Sequence, residues 1–152
     1  MAELAWTILC TRASIDSLTN NLSLFEILEQ VQVPEGAANM GIVAAVQWNL
    51  VSMWRRSGQE PERAEMRVRL LDPTGTDLHE PSPAAVVDLV SAPRARIVGT
   101  IVGMPLRGFG LYQFQIETRN GEEWRASGSV GLLVEPQQAP APTANESHTP
   151  DS

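Results

Sequence analysis

The chain has 152 residues, 11 basic against 18 acidic, and a formal net charge of −7. Hydrophobic residues at 43% and charged residues at 19% are the composition of a globular chain, not a disordered one. The acidic balance argues against nucleic acid or an anionic membrane as partner, since such binding comes largely from cationic side chains meeting phosphates.

All 11 basic residues are Arg, which points to a GC-rich genome more than to a function. The length suits one domain that buries a core without disulfides or metal as staples. Cys10 is the single cysteine, so no intramolecular disulfide forms. The N-terminus carries Glu3 where a secretory signal carries positive charge. The apolar stretch Met40 to Trp54 is interrupted by Gln47, Asn49 and Ser52, and it falls short of a bilayer span of about 20 residues. A cytoplasmic location, with no membrane partner, is the expectation.

In chain order, Leu4, Trp6, Ile8 and Cys10 alternate with Ala5, Thr7, Leu9 and Thr11, which predicts a strand with Trp6 and Cys10 toward a core. Leu22 to Val33 is bracketed by Thr19-Asn20-Asn21 and Pro34-Glu35-Gly36, and its apolar register slips by one. That slip predicts a β-bulge. Met40 to Arg56 fits either a strand or a helical face. The strand is favoured by its neighbours and by Val and Trp, with Trp48 expected in the core. Met66, Val68 and Leu70 alternate with Arg67 and Arg69 as a half-buried strand, and Asp72-Pro73-Thr74-Gly75 reads as a type I turn. Pro81, Pro83 and Pro93 bound a short strand near 84–90, after which Arg94 and Arg96 alternate on another. Tyr112, Phe114 and Ile116 form one further face and Val130, Leu132 and Val134 the next, with Asn120-Gly121 marking a hairpin between them.

From Pro136 onward no aromatic or branched aliphatic residue remains, so residues 136–152 read as a disordered Pro/Ala-rich tail. The folded domain, 1–135, then carries 11 Arg against 16 acids, or −5. About seven to nine short strands with Gly/Pro turns predict an all-β, two-sheet antiparallel β-sandwich.

The opening WTILCTRASIDSLTNNLSLFEILEQVQVP, then RVRLLDPTG, GFGLYQFQIETRNGEEW and SVGLLVE, resemble in order a bacterial family of uncharacterised proteins with a domain of unknown function. The resemblance spans about residues 4–135, and Gly110 to Phe114 is similar to the penultimate strand of immunoglobulin-like sandwiches. It implies a Greek-key sandwich, immunoglobulin-like or C2-like, in a bacterial cytoplasmic protein. It implies no activity, so no catalytic residue follows from it.

Candidate chemistry is sparse. Cys10 and His79 would form a nucleophilic pair only if the fold brought them together, and a small buried Cys is the simpler expectation. No His/Cys pairing has zinc spacing, so no metal or cofactor is expected. Asp72 and Asp77, with Asp16 as a possible third, could line a calcium loop, but Asp-Pro-x-Gly is also an ordinary turn. Gly103 to Gly110 resembles a phosphate-cradling loop, yet it lacks the Lys-Ser/Thr and the helix that such loops need. Arg67 with Arg69, and Arg94 with Arg96, would make one basic stripe if their strands shared a sheet; the alternative is a solvated face paired to Glu65, Glu117 or Glu123. Trp54 and Trp124 are candidates for exposed binding platforms.

With no catalytic constellation, the reading is a non-catalytic module that binds a protein partner or self-associates. A ligand-binding sandwich that uses exposed Trp for carbohydrate or lipid surfaces is the alternative, and a cryptic enzyme is the least favoured. Arg67, Arg69, Arg94, Arg96, Trp54 and Trp124 are the partner-binding candidates.

Overall fold

The computed structural model describes residues 1–38, 41 and 43–138. Nine strands make up the regular structure, and no helix occurs among the described residues. They are β1 (Ala2–Ile15), β2 (Leu22–Ile27), β3 (Gln30–Val33), β4 (Val43–Arg56), β5 (Glu62–Leu71), β6 (Ala85–Leu89), β7 (Arg94–Pro105), β8 (Gly110–Arg119) and β9 (Arg125–Pro136). One sheet has the order β2-β1-β4-β7 and the other β3-β9-β8-β5-β6. The expected tail, 136–152, begins later than its composition suggests, since Pro136 closes β9 and pairs with Val33 and the Gln137 amide donates to the Val33 carbonyl; residues 139–152 lie outside the described residues.

Period-two patterning explains most of these strands. Between the sheets, Leu9, Leu50 and Trp54 of the four-stranded sheet share one core cluster with Leu70, Phe114 and Leu132 of the five-stranded sheet. Burying each such side chain removes it from water at a gain of roughly 1.5–3 kcal/mol. Of the segment Met40 to Arg56, Val43–Arg56 is a strand, β4, pairing antiparallel with both β1 and β7, while Met40 and Ile42 lie outside the described residues. Asp72-Pro73-Thr74-Gly75 turns as expected: the Gly75 amide donates to the Asp72 carbonyl at 2.9 Å, with Gly75 at φ 84°. Asn120-Gly121 lies in the β8–β9 hairpin, with Gly121 at φ 122°.

Three expectations need correction. The slip within Leu22 to Val33 is not a bulge in one strand but a change of sheet. β2 pairs with β1, then the chain turns at Leu28-Glu29 and β3 joins β9 in the other sheet. Glu26, at φ 49°, sits just before that crossing. Second, the sheets are not wholly antiparallel, because β3 pairs with β9 in parallel. Third, Trp6 does not point into the core. A bulge between Leu4 and Trp6 shifts the register, so that Leu4 pairs with Trp54 while Trp6 pairs with Met53. Directly paired residues share a face. Leu4 and Leu9 therefore face the core, while Trp6, Ile8 and Cys10 stand on the outer face. Trp6 and Trp48 are half-buried, whereas Trp54 is fully buried.

Candidate functional site

Two surfaces carry the residues that sequence patterning marked. The first is the outer face of the five-stranded sheet. Arg67 pairs directly with Glu117 across β5 and β8, and Glu65 pairs with Arg119. Arg67 Nε donates to Glu117 Oε2 at 2.6 Å, and Arg69 Nη1 donates to Glu117 Oε1 at 3.1 Å. Arg69 also grips Asp77 with two bonds, at 3.0 Å and 2.7 Å, and Arg119 Nε donates to Glu65 at 2.5 Å. This fork-to-carboxylate geometry is the strong form of an ion pair. Hydrogen bonds from Arg69 hold the Asp77 carboxyl below the usual range, and Asp77 and Glu117 together hold Arg69 more firmly protonated. Trp124, from the loop after β8, lies against this ladder, 4.4 Å from the Arg67 guanidinium and 4.7 Å from that of Arg119. Such cation–π contacts add up to about 1 kcal/mol each at partly exposed sites. Three arginines thus meet three carboxylates, and the stripe is spent on internal pairs.

The fold does not bring the two arginine pairs together. Arg67 and Arg69 lie on β5 in one sheet, while Arg94 and Arg96 lie on β7 in the other. Arg96 donates to the Asn20 carbonyl and side chain at 2.9 Å and 2.7 Å; Arg94 is exposed. Trp54 is not a platform: it is wholly enclosed, its indole N–H donating to Ser52 Oγ at 2.9 Å. That bond satisfies the polar edge a buried indole otherwise leaves unpaired.

The remaining candidates are held by their own neighbourhoods. Asp72 Oδ1 accepts from the Thr74 amide at 2.8 Å, the Thr74 hydroxyl at 2.6 Å and the Thr76 amide at 3.0 Å. Led by the Thr74 hydroxyl, these bonds hold its carboxyl below the ordinary range. Asp16 caps the Leu18 and Thr19 amides. Among the described residues no three His, Cys, Asp or Glu side chains converge as metal ligands would. In the Gly103–Gly110 loop, the Arg107 amide donates to the Tyr112 hydroxyl at 2.7 Å, which donates in turn to the Gly108 carbonyl at 2.7 Å. The Gly108 amide goes to Ala38, so these two amides are not aimed at a phosphate. Cys10 is buried, and its burial pushes the thiol pKa up, the opposite of an activated nucleophile.

The second surface is one that sequence patterning missed. β7 ends the four-stranded sheet, leaving one of its edges without a neighbouring strand among the described residues. It is 12 residues long, against 6, 4 and 5 for the other edge strands β2, β3 and β6. From Ile97 to Met104 it reads IVGTIVGM, without a charge or a proline. Val98 is 41% exposed and Val102 78% exposed. Beside this edge lies a cleft of about 380 Å³, lined by Leu50, Ile97 and Ile101 of one sheet and Met66 and Val68 of the other, with His79 and Ser82 also on its wall. The sign in the sequence was the repeated Ile-Val-Gly of 97–99 and 101–103, which has no polar alternation to announce a strand.

No protein-family model and no curated protein matches the chain. No helix among the described residues is long and apolar enough to cross a membrane.

Proposed function

We propose that this chain is a non-catalytic binding module that receives an extended partner segment along the free edge of β7. The observation that carries this reading is the state of that edge. Natural sheets blunt exposed edges with charges, prolines, bulges or short strands. The other three edge strands are short, but β7 is long and uncharged over the eight residues from Ile97 to Met104. A row of backbone donors and acceptors of that length is a template for β-addition, and an adjoining apolar cleft supplies pockets for alternate side chains.

The finer fold belongs to the same reading. Two sheets around one core support an immunoglobulin-like or C2-like β-sandwich, and so does Tyr112, whose hydroxyl returns to the backbone just upstream of its strand. Membership in the bacterial family of unknown function that the sequence resembles, and a cytoplasmic site of action, are proposed with it. Platform binding of a carbohydrate through Trp loses support, because Trp54 is enclosed and Trp124 is occupied by two guanidinia.

Photo-crosslinking in the native cell tests the reading. A photoreactive residue at Val102 is expected to capture protein, whereas one at Leu111, which is exposed on β8 of the other sheet, is expected not to. Capture from the Trp124 face with none from Val102 would overturn it.

A further inference from the structure

The partner strand that best fits this edge is a second copy of β7, and we propose that two chains pair β7 against β7 about a two-fold axis through Thr100. The inference rests on the reading of β7 as a binding edge and names its occupant.

An antiparallel pair centred on Thr100 sets Thr100 opposite itself, Gly99 opposite Ile101 of the second copy, and Val98 opposite Val102. Each contact occurs twice, as a two-fold interface requires. On the cleft side Ile101 of each copy then packs over Gly99 of the other; regular alternation ends at Gly103, whose φ is 76° and whose successor Met104 is buried in the core. On the outer side the two exposed valines cover each other, and Thr–Thr is among the favourable cross-strand pairs. The matched stretch, Val98 to Val102, gives about 17 Å of edge at roughly 3.4 Å per residue.

Gly99 gives the proposal an independent footing. Glycine inside a strand weakens it and marks a place where something approaches closely. Gly103 has a reason within the chain: its φ is 76°, and an added Cβ would stand 2.9 Å from Val43 Cγ1. Gly99 has none of this kind. Its φ is not positive, and an added Cβ would meet only the Leu50 carbonyl oxygen at an ordinary 3.7 Å. In the paired register that open space belongs to Ile101 of the second copy, whose side chain lies at the mouth of the cleft.

Charge does not oppose the same occupant at this edge. Two chains of net charge −7 repel each other as wholes, but no acidic residue lies on β7. The antiparallel register also sends the Arg94 and Arg96 ends of the two strands in opposite directions, so the arginines of the two copies are not opposed across the pair.

Sedimentation velocity on the full chain, over a wide concentration range, is expected to show a monomer–dimer equilibrium. Val102→Lys places a charge opposite Val98 at two sites per dimer and is expected to weaken association by roughly tenfold or more. At concentrations where both chains are monomeric its melting temperature is expected to match that of the parent, because Val102 is 78% exposed. Thr100→Cys on a Cys10→Ser background is expected to form a symmetric disulfide dimer on mild oxidation, and Leu18→Cys on the same background is not. A chain that remains monomeric at every concentration overturns the proposal, as does a dimer insensitive to Val102→Lys. In either case, capture of a different protein from position 102 leaves the edge reading standing; if that capture fails too, both fall.

Discussion

The Arg67–Glu117 ladder and the β7 edge lie on different sheets and present opposite chemistry. The ladder is dense in charge, yet each arginine in it already holds a carboxylate, and its tryptophan already holds two guanidinia. The edge carries no charge from Ile97 to Met104, yet it offers backbone groups with no neighbouring strand among the described residues. Charge draws attention in a sequence, but a partner is recognised by what the fold leaves unsatisfied. The ladder reads as a device of stability and the edge as a device of association. Each assignment can be broken separately.

The largest effect is expected where the ladder is most enclosed. Glu117 is 6% exposed and serves both Arg67 and Arg69. Glu117→Ala leaves two half-buried guanidinia facing each other without their shared counter-charge, and breaking such a buried pair costs about 3 kcal/mol. Urea denaturation is expected to show a lower midpoint with an unchanged slope, and β7-mediated association is expected to persist in the folded fraction. Loss of association at full stability would mean that the ladder, not the edge, meets the partner.

Much of the ladder was legible in the sequence, because alternation on β5 sets Arg67 and Arg69 on one face and Glu117 was among the acids at hand to pair with them. The fate of Trp54 was not. Its burial depends on Ser52, two residues earlier on the same strand, offering the indole N–H a partner inside the core. The face of Trp6 was hidden for a different reason. Unbroken alternation from Leu4 to Cys10 gives no sign of the bulge between Leu4 and Trp6, and a one-residue shift turns every later side chain to the other face. The crossing from β2 to β3 did leave a mark, the register slip near Leu28, but a bulge and a change of sheet write the same pattern. β7 was the least legible element. Gly99 and Gly103 replace the alternate side chains by which a strand is recognised.

A smaller effect separates the two regions by pH. The Asp77 carboxyl is held below its ordinary value, first by the hydrogen bonds from Arg69. A depressed carboxylate contributes stability that is present above its unfolded pKa, near 4, and is lost as the pH falls through the lower folded value. Melting temperature is therefore expected to decline more steeply below about pH 4 in the parent chain than in Asp77→Asn. No titratable side chain lies between Ile97 and Met104, and His79 is the ionisable side chain that lines the adjoining cleft, so in His79→Gln association through the edge is expected to change little over the milder range in which the chain stays folded. A dimer that dissociates between neutrality and pH 5 would place an ionisable group in the interface and sink the uncharged register.

The smallest change in stability is expected at the edge itself, and there the contrast is sharpest. Val102→Thr keeps a β-branched side chain at a position 78% exposed, so unfolding free energy is expected to move by no more than about 0.5 kcal/mol. Hydrogen exchange supplies the second reading. If β7 is covered by a second copy, amides between Ile97 and Met104 that point away from β4 exchange slowly at high concentration and quickly on dilution, and Val102→Thr shifts the crossover upward. Amides on the β5–β8 ladder are already paired within the chain and are expected to ignore concentration. Equal concentration dependence in both regions would mean that the protection follows global stability and not strand pairing. A position worth almost nothing to the fold that nonetheless sets the crossover concentration is kept for the partner.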